Sequence, residues 1–147
     1  MCRSLLLGHG RAHHKLPEID YEKSKFVDID SKVAPDYVMN LKSETIQFDG
    51  QYDEAIMVGC SSLLLCYDKF SRYDNPSGLK PDLNEILIRA VHRCLDCNGK
   101  FYITNPYDRT EVYRDIIIDI ERMGFFYAGT KFREGMCGVP MLVFQKV

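Results

Sequence analysis

This sequence predicts an α/β fold in which a seven-stranded, mostly parallel sheet lies between layers of helix. Three observations carry the prediction. Apolar runs rich in branched and aromatic residues, each of strand length, recur seven times along the chain. Segments of helical period separate several of them, and strands alternating with helices are how a sheet with helical crossovers reads. A length of 147 residues with 46% hydrophobic content supports one core and is short for two. Residues 1–147 are therefore expected to form one domain.

The strands follow in order. SLLL (4–7) is apolar without alternation, as a strand buried on both faces must be. KFVDI (25–29) and the short YVM (37–39) come next, then EAIMVG (54–59), KFYITN (100–105), FFYAGTKF (125–132) and MLVFQK (141–146). Two helices stand out between them. Lys80-Pro81-Asp82 opens the first with proline and acid at the positive helix end; Leu83, Ile86, Leu87, Ala90, Val91, Cys94 and Leu95 form its apolar face, and Asn98-Gly99 stops it. The second opens at Asp108 or Thr110, carries Val112, Ile116, Ile117, Ile120 and Met123 on one side, and ends at Gly124. A weaker third candidate spans 61–73, before the turn-forming DNPSG (74–78). Residues 11–24, where a crossover helix belongs, hold Pro17 and only scattered apolar residues. They predict a loop, and hence a first crossover helix that is short or absent.

Charge and composition narrow the functional classes. Nineteen basic against 21 acidic residues give a net charge of −2, and without a Lys/Arg run no direct nucleic-acid binding is expected. Three leucines after Arg3 fall short of the ~7–15 apolar residues of an export signal, and no run reaches the ~20 of a membrane span. Six cysteines without an export signal read as free thiols of a cytoplasmic protein.

Four stretches carry chemistry: LLLGHG (5–10) closing the first strand, FVDIDS (26–31) closing the second, QYDEAIMVGC (51–60) across the fourth, and RCLDCNGKFYI (93–103) entering the fifth. In order and spacing they resemble the class I S-adenosylmethionine-dependent methyltransferases over nearly the whole chain. PDYVMNL (35–41) is similar to the segment after the second strand in compact members. The resemblance implies a three-layer, Rossmann-like sheet closed by an antiparallel pair, FFYAGTKF and PMLVFQKV (140–147). It also implies S-adenosylmethionine as cofactor and methyl transfer to an acceptor the sequence does not identify.

The implied site has a physical rationale. Gly8 and Gly10, flanking His9, let the chain bend sharply and bring backbone N–H groups close to a ligand. Asp28, 20 positions after Gly8, is at the distance where a strand-tip carboxylate accepts ribose hydroxyl protons. By the resemblance Ile29 faces the adenine ring, Asn40 or Leu41 approaches its edge, and Gly59, Cys60 and Ser61 border the transferred methyl. Methyl transfer is a displacement in which the substrate supplies the nucleophile, so no catalytic residue is named. Asp53 and Glu54 are the nearby carboxylates to test as a base. Leu5, Leu6 and Leu7 stand where the family has an acid, His9 adds bulk within the turn, and Ala12 fills the third small position. These departures favour an alternative: a non-catalytic methyltransferase-fold subunit that has lost cofactor binding, its open sheet face covered by a protein partner or a second copy. A dinucleotide oxidoreductase is disfavoured, since G-x-G-x-x-G is absent.

The remaining motifs read as structural. His9, His13 and His14 with Asp20 lack the framework and fourth ligand of a zinc site, and no metal is expected. Cys94-Leu95-Asp96-Cys97 ends a helix, whereas redox C-x-x-C motifs begin one. Cys60 reads as a small buried thiol, and Asn105-Pro106-Tyr107 as a strand-to-helix turn.

Overall fold

β1 (Ser4–Leu7) is buried along its whole length, and its neighbours explain why. The computed structural model describes residues 2–8, 18–41, 45–57, 85–104, 117–134 and 140–147. It shows a seven-stranded sheet of order β3-β2-β1-β4-β5-β7-β6, with β2 (Lys25–Asp28), β3 (Tyr37–Val38), β4 (Tyr52–Met57), β5 (Leu95–Thr104), β6 (Phe125–Phe132) and β7 (Pro140–Lys146). β1 pairs in parallel with both β2 and β4, Leu7 lying level with Val27 and Met57. β7 inserts antiparallel between β5 and β6, which is the closing pair the sequence predicts.

The pleat sorts the side chains onto two faces. Leu5, Leu7, Val27, Ala55, Met57, Phe101, Ile103, Leu142 and Phe144 join one core cluster. Leu6, Ile56, Tyr102, Met141 and Val143 join the other with Ile19. α1 (Glu85–Cys94) and Ile120, in the helical residues 117–122, pack on the first face. On the second, Ile19 bridges to Cys2, and residues 21–23 turn. Residues 18–24 contain no helix, as expected; residues 9–17 and the 61–73 candidate lie outside the described residues.

The first helix corrects the reading of its apolar face. Ile86 is 41% exposed, and Ile88, at 0%, takes its place beside Leu87, Val91 and Cys94. Residues 86–88 are all apolar, so periodicity leaves the face free to rotate by one position; packing against the sheet fixes it. The helix also stops at Cys94, short of the expected Asn98-Gly99. Leu95 already pairs with Tyr52, and the residues up to Lys100 form an irregular step within β5. Asn98 takes a left-handed φ of 63° there, and a Cβ on Gly99 would sit 2.9 Å from the Asp96 carbonyl oxygen. Lys146 Nζ donates to the carbonyls of His92 and Leu95, at 2.8 Å each, satisfying the helix end.

Gly124 ends the second helix as expected, with φ 97° and its N–H on the Glu121 carbonyl. A Cβ there would meet His92 Nε2 at 2.7 Å. Gly124→Ala is expected to cost about 1–2 kcal/mol, from left-handed strain and the displaced ring, read by urea unfolding. His92 packs edge-on to Phe125 at 5.1 Å. Burial, then the charge of Lys146, lowers its pKa below the usual value. The folded state thus favours neutral imidazole, and its contribution to stability is present above the unfolded pKa, near 6.5, and lost as pH falls below it. Wild type is expected to lose more stability between about pH 8 and pH 5.5 than His92→Gln does; equal losses would refute the assignment.

Candidate functional site

The strand order reverses between β1 and β4, the place where open parallel sheets form ligand crevices, and the carboxyl ends of β1 and β2 lie beside that point. Leu7 ends β1, and Gly8 bends away with φ 64° while its N–H still donates to the Val27 carbonyl at 2.8 Å. Because Leu7 is level with Val27, the next residues, Gly8 and Asp28, face each other across the tips of the two strands. An alanine at Gly8 would carry the left-handed penalty of about 1–2 kcal/mol.

Asp28 is the last residue of β2 and is partly buried. Its Oδ1 accepts the Asp30 N–H at 2.9 Å, and its main-chain oxygen accepts from Met39 N–H at 2.9 Å. The carboxylate is thus fixed at the tip by a local turn. Asp30 continues the turn by capping a short 3-10 helix, Ser31–Val33, through Lys32 N–H at 2.9 Å. Ile29, expected as the last residue of β2, lies just beyond it and is 66% exposed, an apolar side chain standing in solvent beside a carboxylate. Asn40 is exposed beyond the end of β3.

Leu41 behaves differently. Its side chain, 4% exposed, belongs to the core cluster of Leu5, Leu7 and Val27. Burying a leucine is worth about 1.5–3 kcal/mol, and this one is spent on the core, leaving only its backbone for a role at a ring edge. Leu5, Leu6 and Leu7 are all 0% exposed. His9, Gly10, Gly59, Cys60 and Ser61 lie outside the described residues, as do His13, His14 and the turn 105–107.

Asp53 and Glu54 are the second and third residues of β4, which starts at Tyr52 rather than at the expected Glu54. Glu54 lies three residues before Met57, about 10 Å from the strand tip, and both carboxylates are engaged. Asp53 accepts the Arg3 backbone N–H at 2.8 Å and the guanidinium at 3.2 Å. The Arg3 hydrogen bonds hold its carboxyl below the usual range, and the same guanidinium reaches Asp96. Glu54 forms a two-pronged pair with Arg133 at 2.7 and 2.8 Å, the side chains only 5% and 9% exposed. Neither can serve as a base at the strand tips. The Glu54–Arg133 pair joins residues 79 apart, a separation at which no sequence signal pointed to it.

The C-x-x-C motif is structural where it is described. Cys94 is buried, its thiol donates to the Val91 carbonyl at 3.2 Å, and burial pushes its pKa up to about 12. Among the described residues no group of three potential metal ligands is assembled, and no helix is long and apolar enough to cross a membrane.

No family model matches the sequence, and neither does any curated protein. Solved structures do match. A TehB-like SAM-dependent methyltransferase from Corynebacterium glutamicum is similar at 18% identity and TM-score 0.63, covering 99% of this chain and 80% of its own. The N-methyltransferase NodS from Bradyrhizobium japonicum, in complex with S-adenosyl-L-homocysteine, is similar at 10% identity and TM-score 0.62, covering 99% and 78%. The glycopeptide N-methyltransferase MtfA follows at 13% and 0.58, covering 100% and 83%. With the 3-2-1-4-5-7-6 strand order and the antiparallel β7, this chain has the Rossmann-like fold of the class I S-adenosylmethionine-dependent methyltransferases.

Proposed function

We propose that this protein is an S-adenosylmethionine-dependent methyltransferase of the cytoplasm. The observation that carries the reading is the pairing of a left-handed glycine bend with a fixed carboxylate: Gly8 at φ 64° opposite Asp28, whose Oδ1 is anchored by Asp30 N–H. A Cβ-free bend admits a ligand close to the backbone, and a strand-tip carboxylate suits a ribose diol. Exposed Ile29 offers an apolar surface for a flat base beside it. The residues present therefore fit the cofactor, and solved structures of similar fold were obtained with that cofactor or its product bound. Free thiols at Cys2, Cys94 and Cys97 support a reducing compartment.

When bound, the cofactor supplies an electrophilic methyl on sulfonium sulfur. In this reading Asp28 accepts the ribose hydroxyls, Gly8 and Gly10 give the chain its close approach, and Ile29 packs against the adenine. Gly59 and Cys60 follow β4 on the methyl side, and the acceptor is deprotonated without Asp53 or Glu54.

Calorimetric titration with S-adenosylhomocysteine tests the reading. Micromolar binding is expected, and Asp28→Asn, which keeps an acceptor for Asp30 N–H but removes the charge, is expected to weaken it about tenfold or more, or ~1.4 kcal/mol. No heat at about 1 mM ligand would defeat the reading and leave the fold as a non-catalytic subunit.

A further inference from the structure

The sheet face that carries Leu6, Ile56 and Tyr102 also holds a cavity of about 280 Å³, apart from the strand tips. Cys2, Asp53, Glu54 and Lys100 line it, and all four lie before or near the starts of the parallel run of β1, β4 and β5. That is the opposite end of the strands from Gly8 and Asp28. Its volume is below the ~300–1,000 Å³ of sites for drug-sized ligands, so it suits a small metabolite.

Charge in this cavity is divided by the strand order. Glu18, Asp53 and Glu54 line it from the β1 and β4 side, while Lys100, Lys131 and Arg133 line it from β5 and β6. Two of the acids are already neutralised, Asp53 by Arg3 and Glu54 by Arg133. Glu18 on one wall and Lys100 and Lys131 on the other are exposed and have no ion-pair partner among the described residues. Glu18 is also held in place: it takes a left-handed φ of 71°, and its carbonyl accepts the Cys2 N–H at 2.6 Å. A non-glycine residue in that region is strained, and such strain gathers where a side chain must be aimed. Between the walls lies Tyr102, with Arg133 stacked over its ring at 5.1 Å.

We propose that this cavity binds a small zwitterion, its ammonium toward Glu18 and its carboxylate toward Lys100 and Lys131. A simple anion would meet the acidic wall, and a simple cation the lysines; a molecule carrying both charges answers both walls. The exposed rim and solvent screening set the affinity in the millimolar to high-micromolar range, about 4–6 kcal/mol.

The test is a titration of isotope-labelled full-length protein, followed by backbone amide shifts, with glycine, 4-aminobutyrate and 6-aminohexanoate, and with butyrate, butylamine and inorganic phosphate as single-charge controls. At least one amino acid is expected to give saturable shifts at residues 98–102 and 131–133. Its affinity is expected to fall about tenfold in Glu18→Gln and again in Lys100→Gln/Lys131→Gln, all substitutions of exposed side chains. The proposal is overturned if no amino acid saturates those shifts by about 10 mM. It is equally overturned if butyrate or phosphate binds as well as the amino acids and ignores Glu18→Gln, or if the shifts fall at Gly8 and Asp28 instead.

Discussion

Arg133→Met is expected to destabilise the fold by about 3–5 kcal/mol, because it leaves Glu54 as an unpaired carboxylate under the sheet face. The Glu54 side chain is 5% exposed, and both its oxygens rest on the Arg133 guanidinium at 2.7 and 2.8 Å. Removing one charge forfeits that attraction and leaves the desolvation of the other uncompensated. For a chain of 147 residues, at about 2–4 °C per kcal/mol, the melting temperature should fall by roughly 10 °C. The double variant Glu54→Leu/Arg133→Met removes both charges and should recover most of the loss, since apolar replacement of a buried pair is commonly neutral or better. Thermal unfolding of the single and double variants measures both. A loss below about 1 kcal/mol in the single variant would show that water reaches Glu54.

Phe144→Ala is expected to cost a comparable amount, about 3–5 kcal/mol, as a large-to-small change in a closed core. Phe144 is 0% exposed, lies directly across from Phe101 in the β5–β7 register, and meets Phe125 at 6.5 Å and Tyr127 at 5.3 Å between ring centroids. These rings come from three adjacent strands, so the cavity left behind has no single flexible wall to collapse it. Phe126 is the internal control. It neighbours Phe125 in β6 but is 58% exposed, and Phe126→Ala should change stability by less than about 0.5 kcal/mol. Similar losses for the two variants in chemical denaturation would contradict this sorting of faces.

The strand inventory was legible because each signal is local. SLLL reads as a doubly buried strand because four apolar residues in a row leave no solvent face, and β1 is buried throughout. Gly8 and Asp28 were each legible as a strand end, a glycine after one apolar run and a carboxylate after the next, whereas their level placement follows from the β1–β2 register. Leu41 was not: a leucine after β3 reads equally as ligand contact or core, and only packing against Leu5, Leu7 and Val27 assigns it. Ile86 and Ile88 exchanged places for the same reason. Asp53 and Glu54, grouped in the sequence as adjacent carboxylates near a strand, prove to be held by different arginines, Arg3 and Arg133, one from the start of β1 and the other from beyond β6, neighbours that only the sheet order supplies.

By itself the sequence determined which segments are strands, where glycine permits the chain to bend, and that a carboxylate ends the second strand, because backbone sterics and apolar periodicity act within a few residues. The tertiary structure alone decided which face of α1 is buried, which arginine neutralises Glu54, and how Glu18, Lys100 and Lys131 come to line one cavity. Burial and charge pairing are set by whichever groups the sheet order makes neighbours, and that order joins residues far apart in the chain.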